Sequence, residues 1–375
     1  MSINHKKTVF VGMSGGVDSS VTALLLKNQG YNVVGVFMRC YNLDGCAERD
    51  AEDARRVAEH IGIPFYVWDF EAEYKQRVVE YMIEGYRAGI TPNPDVMCNR
   101  EIKFGLFLQK SLAAGADFVA TGHYVRIKRS PSQIKKSLKG GASGVKLFIA
   151  RDKNKDQSYF LWTLTQKQLQ YCLFPIGDYL KQEVRRIAAR AGLPTAAKKD
   201  SQGICFLGDI SVADFLKQYI PERRGALITT TGEQIGEHFG AEFYTIGQRH
   251  IDADFKFPKT SGVRHDREPF YVASKDAATN TVVVAEGDEN EALYRREVKL
   301  ASINFLDSKK FISEKPTAVF ARVRYRQPLA QAKLSQSNND ILRLEFARPQ
   351  KFVASGQSAV WYSKRGEMLG GGIIL

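Results

Sequence analysis

Residues 8–20 read TVFVGMSGGVDSS, and this stretch decides the fold. Its first part, Thr8–Val11, is a short apolar run typical of a buried strand. Its last part is the beginning of Val17–Gln29, in which apolar residues recur at helical spacing. This segment ends before Gly30, and glycine is common at the position that follows a helix. The stretch is therefore predicted to be a tight loop between a strand and a helix.

The loop itself has the composition of an anion site. Adjacent glycines at Gly15 and Gly16 let the backbone close around a ligand without Cβ clashes. The N–H groups and the positive dipole end of the following helix favour phosphate, and nearby hydroxyls add further donors from Ser14, Ser19 and Ser20. No lysine lies in the loop, so the Walker pattern and its γ-phosphoryl transfer are not expected. We predict a pyrophosphate site.

Strand and helix signals alternate from this loop to about residue 200. Further strands are predicted at Val33–Met38, Phe65–Asp69 and Asp117–Thr121, and further helices at Arg49–Ile61, Tyr74–Arg87, Arg100–Ala113 and Leu180–Ala191. This alternation predicts an α/β fold with a doubly wound, mainly parallel sheet. Ligands of such sheets bind beyond the carboxyl ends of the strands, which places Met38 and Gly122 at the same rim as the loop.

The pattern changes after Phe206. A short helix, Val212–Tyr219, precedes a glycine-rich stretch, and from Phe270 onward nearly everything reads as short strands, such as Thr317–Tyr325. We predict a small central domain followed by a C-terminal antiparallel β-barrel. The expected domains are a catalytic domain over 1–207, a central linking domain over 208–287 and the barrel over 288–375.

Composition narrows the class of protein. The 375 residues exceed what one core usually supports, and 54 Lys+Arg against 41 Asp+Glu give a net charge of +13, which favours a polyanionic partner. No uninterrupted apolar run approaches the roughly 18 residues of a membrane span, and the N-terminus lacks a secretory pattern. We expect no membrane association and a cytoplasmic location. Ser130–Gly144 reads as an exposed insertion, either merely solvated or a phosphate-contacting flap.

The cysteines indicate thiol chemistry. The count of 5 is odd and no C-x-x-C pair occurs, so neither a disulfide framework nor a zinc site is expected. Cys98 follows a proline-stiffened turn and is predicted to begin a helix capped by Asp95 or Asn99, a position that lowers a thiol pKa. Asp95 is close enough to carry a proton for this thiol or for a substrate.

A second cysteine, Cys205, lies in the segment DSQGICF after two lysines. The charges of Lys198 and Lys199 would stabilise a thiolate or persulfide, and Gly203 suits a cysteine that must move. Cys172 lies in an apolar run and is expected to be a buried small hydrophobe, and Cys40 and Cys46 are expected to be incidental.

The SGGVDSS loop resembles that of the N-type ATP pyrophosphatase (PP-loop) superfamily. The resemblance implies that ATP is cleaved between its α- and β-phosphates, with Mg²⁺, while AMP is attached to a carbonyl oxygen. It implies an ATP site, with Met38 and Gly122 at the adenosine end, made of Gly12, Met13, Ser14, Gly15, Gly16, Val17, Asp18, Ser19, Met38 and Gly122.

Longer blocks identify the chain as a member of the tRNA-specific 2-thiouridylase family. They are NPDVMCNREIKF, ATGHY, KDQSYFL, DSQGICFLGD and YTIGQRHI, in that order, and the match runs from residue 8 to the C-terminal GGGIIL. The resemblance implies ATP-dependent adenylation of the C2 carbonyl oxygen of the wobble uridine, at tRNA position 34. Sulfur from a persulfide on Cys205 then gives 2-thiouridine, and Asp95 is the implied acid/base.

The family also implies partners and a transient disulfide. Cys98 and Cys205 would end the reaction as a disulfide, which a reductant reopens. The sulfur would come from a sulfur-carrier or cysteine desulfurase protein, and the substrates would be tRNAs for Lys, Glu and Gln. We expect a monomer that binds no resident metal.

The implied RNA contacts extend over the whole chain. The base pocket would be lined by Asn93, Pro94 and Asp95, and the other contacts would be His123, Lys155, Asp156, Gln157, Arg324, Tyr325 and Gln357. Independently, strand alternation is predicted to put Arg322, Arg324 and Arg326 on one face, which suits phosphate contacts.

Three other interpretations stay open. A different ATP pyrophosphatase would amidate or ligate a small molecule, although no glutaminase segment is recognisable. A 4-thiouridine or 2-thiocytidine enzyme would bring an N-terminal RNA-binding domain or C-x-x-C cluster ligands. An RNA-binding scaffold would need neither an intact loop nor both thiols. The route of sulfur release, by direct persulfide attack or through hydrosulfide, also stays open, as does a cluster at Asp95, Cys98 and Cys205.

Overall fold

The structure, a computed structural model, describes residues 6–41, 45–129, 144–200, 207, 210–256, 268–306, 316–338 and 340–375. Its first sheet has the strand order β3-β2-β1-β4-β7. The strands are β1 (Thr8–Gly12), β2 (Asn32–Arg39), β3 (Phe65–Asp69), β4 (Phe118–Thr121) and β7 (Cys172–Leu173). All four pairings are parallel.

Helices connect these strands. The helices are α1 (Val17–Asn28), α2 (Cys46–Ile61), α3 (Glu71–Tyr74, Lys75–Val79 and Glu80–Arg87 in succession), α4 (Pro94–Cys98, Asn99–Leu106 and Phe107–Ala113 in succession), α5 (Gln166–Leu169), α6 (Lys181–Arg190) and α7 (Val212–Lys217). The middle parts of α3 and α4 are π-helical. Short 3₁₀ turns cover Ser158–Leu161, Ala241–Phe243 and Glu291–Leu293.

Strand β1 shows why the sheet is covered on both faces. Val9 and Val11 pack with the cluster that contains Val21 of α1 and Val184 of α6. Phe10 points the opposite way, into the cluster formed with α3 and α4. Alternate residues of a strand face opposite sides, so an all-apolar strand requires helices on both. The predicted doubly wound parallel sheet is confirmed.

A hairpin inserted after β4 contacts the C-terminal barrel. Strands β5 (Val125–Lys128) and β6 (Lys146–Ile149) pair antiparallel. The Ile149 amide donates to the Gly366 carbonyl at 2.9 Å. The basic insertion expected between these strands falls on residues 130–143, outside the described residues.

The central domain is a five-stranded sheet of order β10-β9-β8-β12-β11. The strands are β8 (Gly225–Thr229), β9 (Gln234–His238), β10 (Ala253–Phe255), β11 (Phe270–Asp276) and β12 (Thr281–Glu286). Its β12–β8 pairing is parallel and the others are antiparallel.

A closed six-stranded antiparallel barrel ends the chain, which confirms the predicted C-terminal architecture. The strands are β13 (Tyr294–Phe305), β14 (Thr317–Arg322), β15 (Ala330–Asn338), β16 (Ile341–Lys351), β17 (Ser358–Tyr362) and β18 (Met368–Ile374). Its interior is filled by Trp361, Phe346 and Leu344, all fully buried. Within the described ranges no helix has both the length and the apolar character needed to cross a bilayer.

A lysine is buried where the central domain meets α3. The Lys275 Nζ atom is buried without a hydrogen-bond partner among the described residues and lies 5.6 Å from the Tyr86 ring centroid. Burial lowers its pKa from 10.5 to about 8, against an opposing effect of Glu242. The folded state therefore carries an ammonium at neutral pH whose burial is only partly offset by Glu242 and the Tyr86 ring.

Lys275→Met is expected to stabilise the protein at pH 7 by about 1–3 kcal/mol, since the shift corresponds to roughly that cost. Below pH 8 the lysine is charged in both states and the cost is complete; between pH 8 and 10.5 the unfolded chain binds more protons, so wild-type stability rises with pH. Thermal unfolding at pH 7 and pH 10 should show the gain shrinking. The exposed Lys333→Met serves as control, and an equal gain at both pH values would contradict the burial cost.

Candidate active site

The loop between β1 and α1 is held in a conformation that requires glycine. Gly15 has φ +70°, and a Cβ there would lie 2.3 Å from the Asp50 carbonyl oxygen of α2. Gly16 is the N-cap of α1 and has no side chain to satisfy the helix. The first N–H groups of α1 are therefore left for a ligand, as in other anion-binding helix starts.

The three serines of the loop differ in exposure and in the groups that their hydroxyls contact. Ser14 is exposed, its amide donates to Ser19 Oγ at 3.1 Å, and the two Oγ atoms lie 3.3 Å apart. Ser19 is buried and its Oγ donates to the Gly16 carbonyl at 3.1 Å. Ser20 is fully buried, donates to the Gly16 carbonyl at 2.8 Å and accepts from Thr195 at 3.0 Å. The expectation that Ser20 supplies a ligand donor is therefore wrong: its hydroxyl braces the loop from inside.

Met38 and Gly122 flank the loop as their strands predict, because β1 lies between β2 and β4. A Cβ on Gly12 would meet the Met38 methyl at 3.0 Å, and a Cβ on Gly122 would lie 2.8 Å from the Ser19 amide nitrogen. The glycine after β4 thus touches the start of α1. Contact of either residue with adenosine stays a prediction.

Asp18, in the first turn of α1, is the centre of an ion-pair network that the sequence did not reveal. Its carboxylate accepts from Lys181 Nζ at 2.8 Å and from the Tyr124 hydroxyl at 2.8 Å. Lys181 also lies 2.9 Å from Asp200 Oδ1. Burial and the Asp18 carboxylate raise the Tyr124 pKa, so this hydroxyl stays protonated and donating. A lysine at the first position of a helix gives no sequence signal of such a contact.

The start of α4 presents the first predicted cysteine. Asn93 caps this helix, accepting from the Val96 amide at 3.1 Å, and Pro94 occupies the first helical position. The prediction that Asp95 or Asn99 is the cap was wrong, since the cap is Asn93, two residues before Asp95 and six before Asn99. Cys98 is the fifth helical residue and not at the terminus, so the dipole acts on it less strongly.

Asp95 lies at the second helical position, nearer the terminus than the cysteine. Burial raises its pKa, and Lys103 opposes this rise. Asn99 Nδ2 donates to the Asp95 carbonyl at 2.9 Å, and the Asn99 Oδ1 atom is buried without a partner among the described residues. A carboxyl with a raised pKa, three residues before a cysteine on the same helix, suits proton transfer.

The rim at the end of β4 adds a buried imidazole. His123 Nδ1 lies 2.7 Å from Thr121 Oγ1, and the ring packs against Phe104 of α4 at 5.9 Å. Burial and then Lys103 lower its pKa well below the usual value, so the ring is neutral. Because α4 runs antiparallel to the strands, its start lies at the same carboxyl edge as the phosphate loop.

The segment Lys-Asp-Gln at 155–157 is fixed from three sides. Lys155 Nζ lies 2.6 Å from Asp200 Oδ2. Asp156 is buried and forms an ion pair with Arg322 of the barrel, and it accepts from the Ala150 amide at 3.0 Å. Gln157 exchanges two hydrogen bonds with the Tyr124 backbone, at 3.0 and 2.9 Å. Asp156 is thus committed to the interior, and the other two flank the Asp18 network.

The predicted arginine face of the barrel is wrong. Strand β14 ends at Arg322, which is buried against Asp156 and Tyr362, and the chain then turns. Arg324 lies 5.7 Å from the Phe352 ring, and Arg326 is exposed with φ +64°. Alternation stops where the strand stops, so the three side chains do not share a face.

The barrel reaches the Cys98 region through Gln357. Its Nε2 donates to the Thr91 carbonyl at 3.0 Å, and its Oε1 lies 3.4 Å from Asn93 Nδ2. Tyr325 packs on Phe160 with ring centroids 4.5 Å apart. Residues predicted to contact RNA from opposite ends of the chain are thereby brought together at the start of α4.

The second predicted cysteine, Cys205, and Gly203 lie outside the described residues. The residues that precede them are described. Lys198 Nζ lies 2.6 Å from Asp50 and 2.5 Å from Asp53 of α2, so its charge is already paired. This pairing weakens the field that Lys198 can offer a persulfide, and its effect on Cys205 stays a prediction. Lys199 is exposed.

Cys172 lies in the sheet, away from the start of α4 where Cys98 lies. Cys172 is fully buried in β7, and burial raises its pKa to about 12, which confirms that it acts as a small hydrophobe. In the ranges that the structure describes, no three His, Cys, Asp or Glu side chains are grouped for a metal ion.

Three family models match consecutive parts of the chain. The tRNA methyl transferase HUP domain matches residues 7–209, more than half of the chain. The tRNA methyl transferase PRC-barrel domain matches residues 213–286, and the aminomethyltransferase beta-barrel domain matches residues 295–374.

Curated relatives match over the full length. The tRNA-specific 2-thiouridylase MnmA of Streptococcus pyogenes serotype M4 is 45% identical over 381 aligned positions, covering 100% of this chain and 96% of the relative. The protein of the same name from serotype M6 matches with the same identity of 45% and the same coverage of 100% and 96%.

Solved structures match less closely. A 4-thiouridine synthetase–RNA complex with bound ATP is 16% identical, with a TM-score of 0.33 and coverage of 57% of this chain and 50% of that one. A predicted tRNA methyltransferase subunit from Methanocaldococcus jannaschii is 18% identical, with a TM-score of 0.30 and coverage of 49% and 74%. TM-scores this low carry no inference.

Proposed function

Because this chain belongs to the tRNA-specific 2-thiouridylase family, we propose that it converts the wobble uridine of tRNA to 2-thiouridine at the expense of ATP. The observation that carries the proposal is the 45% identity over 100% of the chain with curated 2-thiouridylases. The phosphate loop, with its free helix N–H groups, and the buried Asp95 beside Cys98 supply groups that suit this chemistry.

The first step is activation of the base. The loop from Gly12 to Ser19 holds the triphosphate, with Met38 and Gly122 at the adenosine end. The uridine O2 attacks the α-phosphorus, pyrophosphate leaves, and the proton on N3 is released. This makes AMP the leaving group at C2. The uridine must leave its stack to reach such a site, and Asn93, Pro94 and Asp95 would line the pocket.

Asp95 is the acid/base of the proposal. Burial raises its pKa, which makes the carboxylate a stronger base for the N3 proton and lets the carboxyl return a proton later. His123 is neutral at the rim, and it would contact RNA through hydrogen bonding and packing instead of charge. Mg²⁺ bound with the triphosphate would screen the phosphate charge.

The second step moves one sulfur atom. A donor protein leaves a persulfide on Cys205, and its terminal sulfur attacks C2 while the C–O bond to AMP breaks. The Cys98 thiolate attacks the Cys205 Sγ, breaks the persulfide S–S bond and passes its electron pair to the transferred sulfur. If Cys98 acts first, the same sulfur leaves as hydrosulfide and then attacks. Either order leaves a Cys98–Cys205 disulfide, which a thiol reductant must reduce.

Other residues would recognise the RNA. Lys155 and Gln157 lie beside the Asp18 network, and Gln357 contacts the start of α4 from the barrel. Arg324 and Tyr325 follow strand β14 of the same barrel. Asp156 would act indirectly, because its pairing with Arg322 fixes the segment that carries Lys155 and Gln157. We propose tRNAs for Lys, Glu and Gln as substrates, a sulfur-carrier or desulfurase protein as donor, and a cytoplasmic monomer.

A reconstituted reaction tests the proposal. The protein is incubated with ATP, an unmodified tRNA-Glu transcript, a persulfide donor and a thiol reductant, and the digested nucleosides are separated and weighed by mass spectrometry. We expect 2-thiouridine at the wobble position and pyrophosphate release that depends on tRNA. A transcript with cytidine at that position is the matched control and should give neither.

Two outcomes of this reaction would contradict the proposal. Pyrophosphate release that ignores tRNA but responds to a small carboxylate or to xanthylate would assign the chain to a different ATP pyrophosphatase reaction. Thiolation at another tRNA position would contradict the wobble assignment while keeping the sulfurtransferase class.

A further inference from the structure

Residues 195–200, called here the anchor segment, lead directly into the stretch that carries Cys205 and are bound to the phosphate loop. Thr195 is buried and donates to Ser20 of the loop at 3.0 Å. At the other end of the segment, Asp200 shares the Lys181 ammonium with Asp18, at 2.9 and 2.8 Å. The segment therefore contacts α1 directly through Thr195 and is linked to it a second time through the shared Lys181 ammonium.

Asp200 gathers three cations. Besides Lys181, it accepts from Lys155 at 2.6 Å and from Arg185 at 2.7 Å. Burial opposes its ionisation, yet the hydrogen bonds from Lys155 and Lys181 hold its pKa at about 2, so the carboxylate stays charged at neutral pH. One carboxylate thus joins α6, the Lys155 segment and, through Lys181, the phosphate loop.

Arg185 of α6 clamps the backbone of the anchor segment. Its Nη1 donates to the Ala196 carbonyl at 3.0 Å and to the Lys198 carbonyl at 2.9 Å, while its Nη2 holds Asp200. A guanidinium has donors in a fixed fork, so it sets the direction of the chain as well as its position. The neighbouring Arg186 is exposed.

The opposite side of the segment is tied to α2. Lys198 pairs with Asp50 and Asp53, and the Asp50 carbonyl lies against Gly15 of the loop. The segment is therefore fixed between the two helices that border the loop.

We propose that Arg185 and Asp200 are positioning residues. By fixing the backbone that leads to Cys205, they direct the sulfur carried by Cys205 toward the nucleotide on the phosphate loop. This rests on the proposed function. Cys205 follows Asp200 by only five residues, so the direction of the chain at Asp200 limits where its sulfur can reach. Misplacement of a reacting group by about 1 Å can cost 10²-fold in rate.

If Cys205 is misplaced, ATP consumption is expected to become uncoupled from sulfur transfer. When sulfur arrives late, water attacks the adenylated base, which regenerates uridine and releases AMP. Each such cycle consumes ATP without making product. Loss of registration should therefore raise the amount of AMP formed per 2-thiouridine, whereas a general loss of folded enzyme lowers both amounts together and leaves their ratio unchanged.

The test compares two arginines of one helix. In the reconstituted reaction, AMP and 2-thiouridine are quantified for wild type, Arg185→Met, Arg185→Lys and the control Arg186→Met. We expect a ratio near one for wild type and Arg186→Met, a rise of at least about fivefold for Arg185→Met, and an intermediate value for Arg185→Lys. Equal ratios in all four proteins would overturn the proposal.

Asp200→Asn gives an independent measurement if Arg185→Met folds poorly. It keeps the side-chain volume but removes the charge that holds three cations, and it should also raise the ratio while the thermal unfolding temperature stays close to wild type. A normal ratio in this variant would contradict the role of Asp200. If wild type itself makes no 2-thiouridine, the proposed function fails; if it does and only the ratios are unchanged, the registration alone fails.

Discussion

Cys205→Ser should abolish 2-thiouridine formation and leave tRNA binding and tRNA-dependent pyrophosphate release intact. Serine has nearly the same size as cysteine, but its hydroxyl cannot carry a persulfide sulfur. Adenylation precedes sulfur transfer in the proposed reaction and uses the loop and Asp95, so it does not need this thiol. The measurements are nucleoside mass analysis, a tRNA gel shift and a pyrophosphate assay on the same preparation.

Two other cysteine variants make this result specific. Cys98→Ser should also stop turnover, but mass spectrometry of the protein should show Cys205 carrying one extra sulfur atom after incubation with the donor. Cys172→Ala is the control, because Cys172 is fully buried in β7 and burial raises its pKa to about 12, far from a reactive thiol. Loss of tRNA binding in Cys205→Ser, or no persulfide in Cys98→Ser, would contradict the assigned roles.

Gly15→Ala should reduce pyrophosphate release by at least about 10²-fold, through distortion of the loop. The new methyl would lie 2.3 Å from the Asp50 carbonyl oxygen, which belongs to backbone and cannot rotate away. The φ of +70° adds a cost of about 1–2 kcal/mol for any residue with a Cβ. Equilibrium binding of ATP should weaken in parallel with pyrophosphate release.

Gly30→Ala is the matched control, because it introduces the backbone strain of a positive φ without a steric clash of the new methyl group. Gly30 also has a positive φ, at +90°, but no atom lies within 4 Å of the added Cβ. This variant should lose stability by about 1–2 kcal/mol and retain ATP binding. If Gly15→Ala binds ATP as well as Gly30→Ala does, the close fit between the loop and α2 has no part in nucleotide binding.

Local sequence patterns were sufficient for the phosphate loop and the layers around it. Glycines, hydroxyls and strand–helix order act over a few neighbouring residues, so Gly15, Gly16 and the flanking β1 and α1 could be predicted directly. The same holds for Cys172, whose apolar neighbours indicate burial. Local residues singled out Cys98 and Cys205 as thiols, whereas resemblance added their pairing, their roles and the RNA contacts, which no spacing rule connects.

Sequence patterns predicted the wrong boundary where a strand stopped, or a helix started, at a residue other than the one its local residue pattern indicates. The arginines from Arg322 to Arg326 alternate in sequence, but β14 stops at the first of them, because its guanidinium is buried on Asp156. Asn93 was not recognised as the cap of α4, because two prolines nearby suggested a turn. In both cases a tertiary or capping contact decided the boundary.

By itself the sequence determined that an α/β domain carries an anion loop and that a barrel follows. Only the tertiary structure decided which charges meet: Asp18 with Lys181, Lys181 with Asp200, and Lys198 with α2. The physical reason is the distance along the chain over which each interaction acts. Backbone conformation depends on adjacent residues, whereas an ion pair between residues 163 positions apart, such as Asp18 and Lys181, exists only once the sheet has folded.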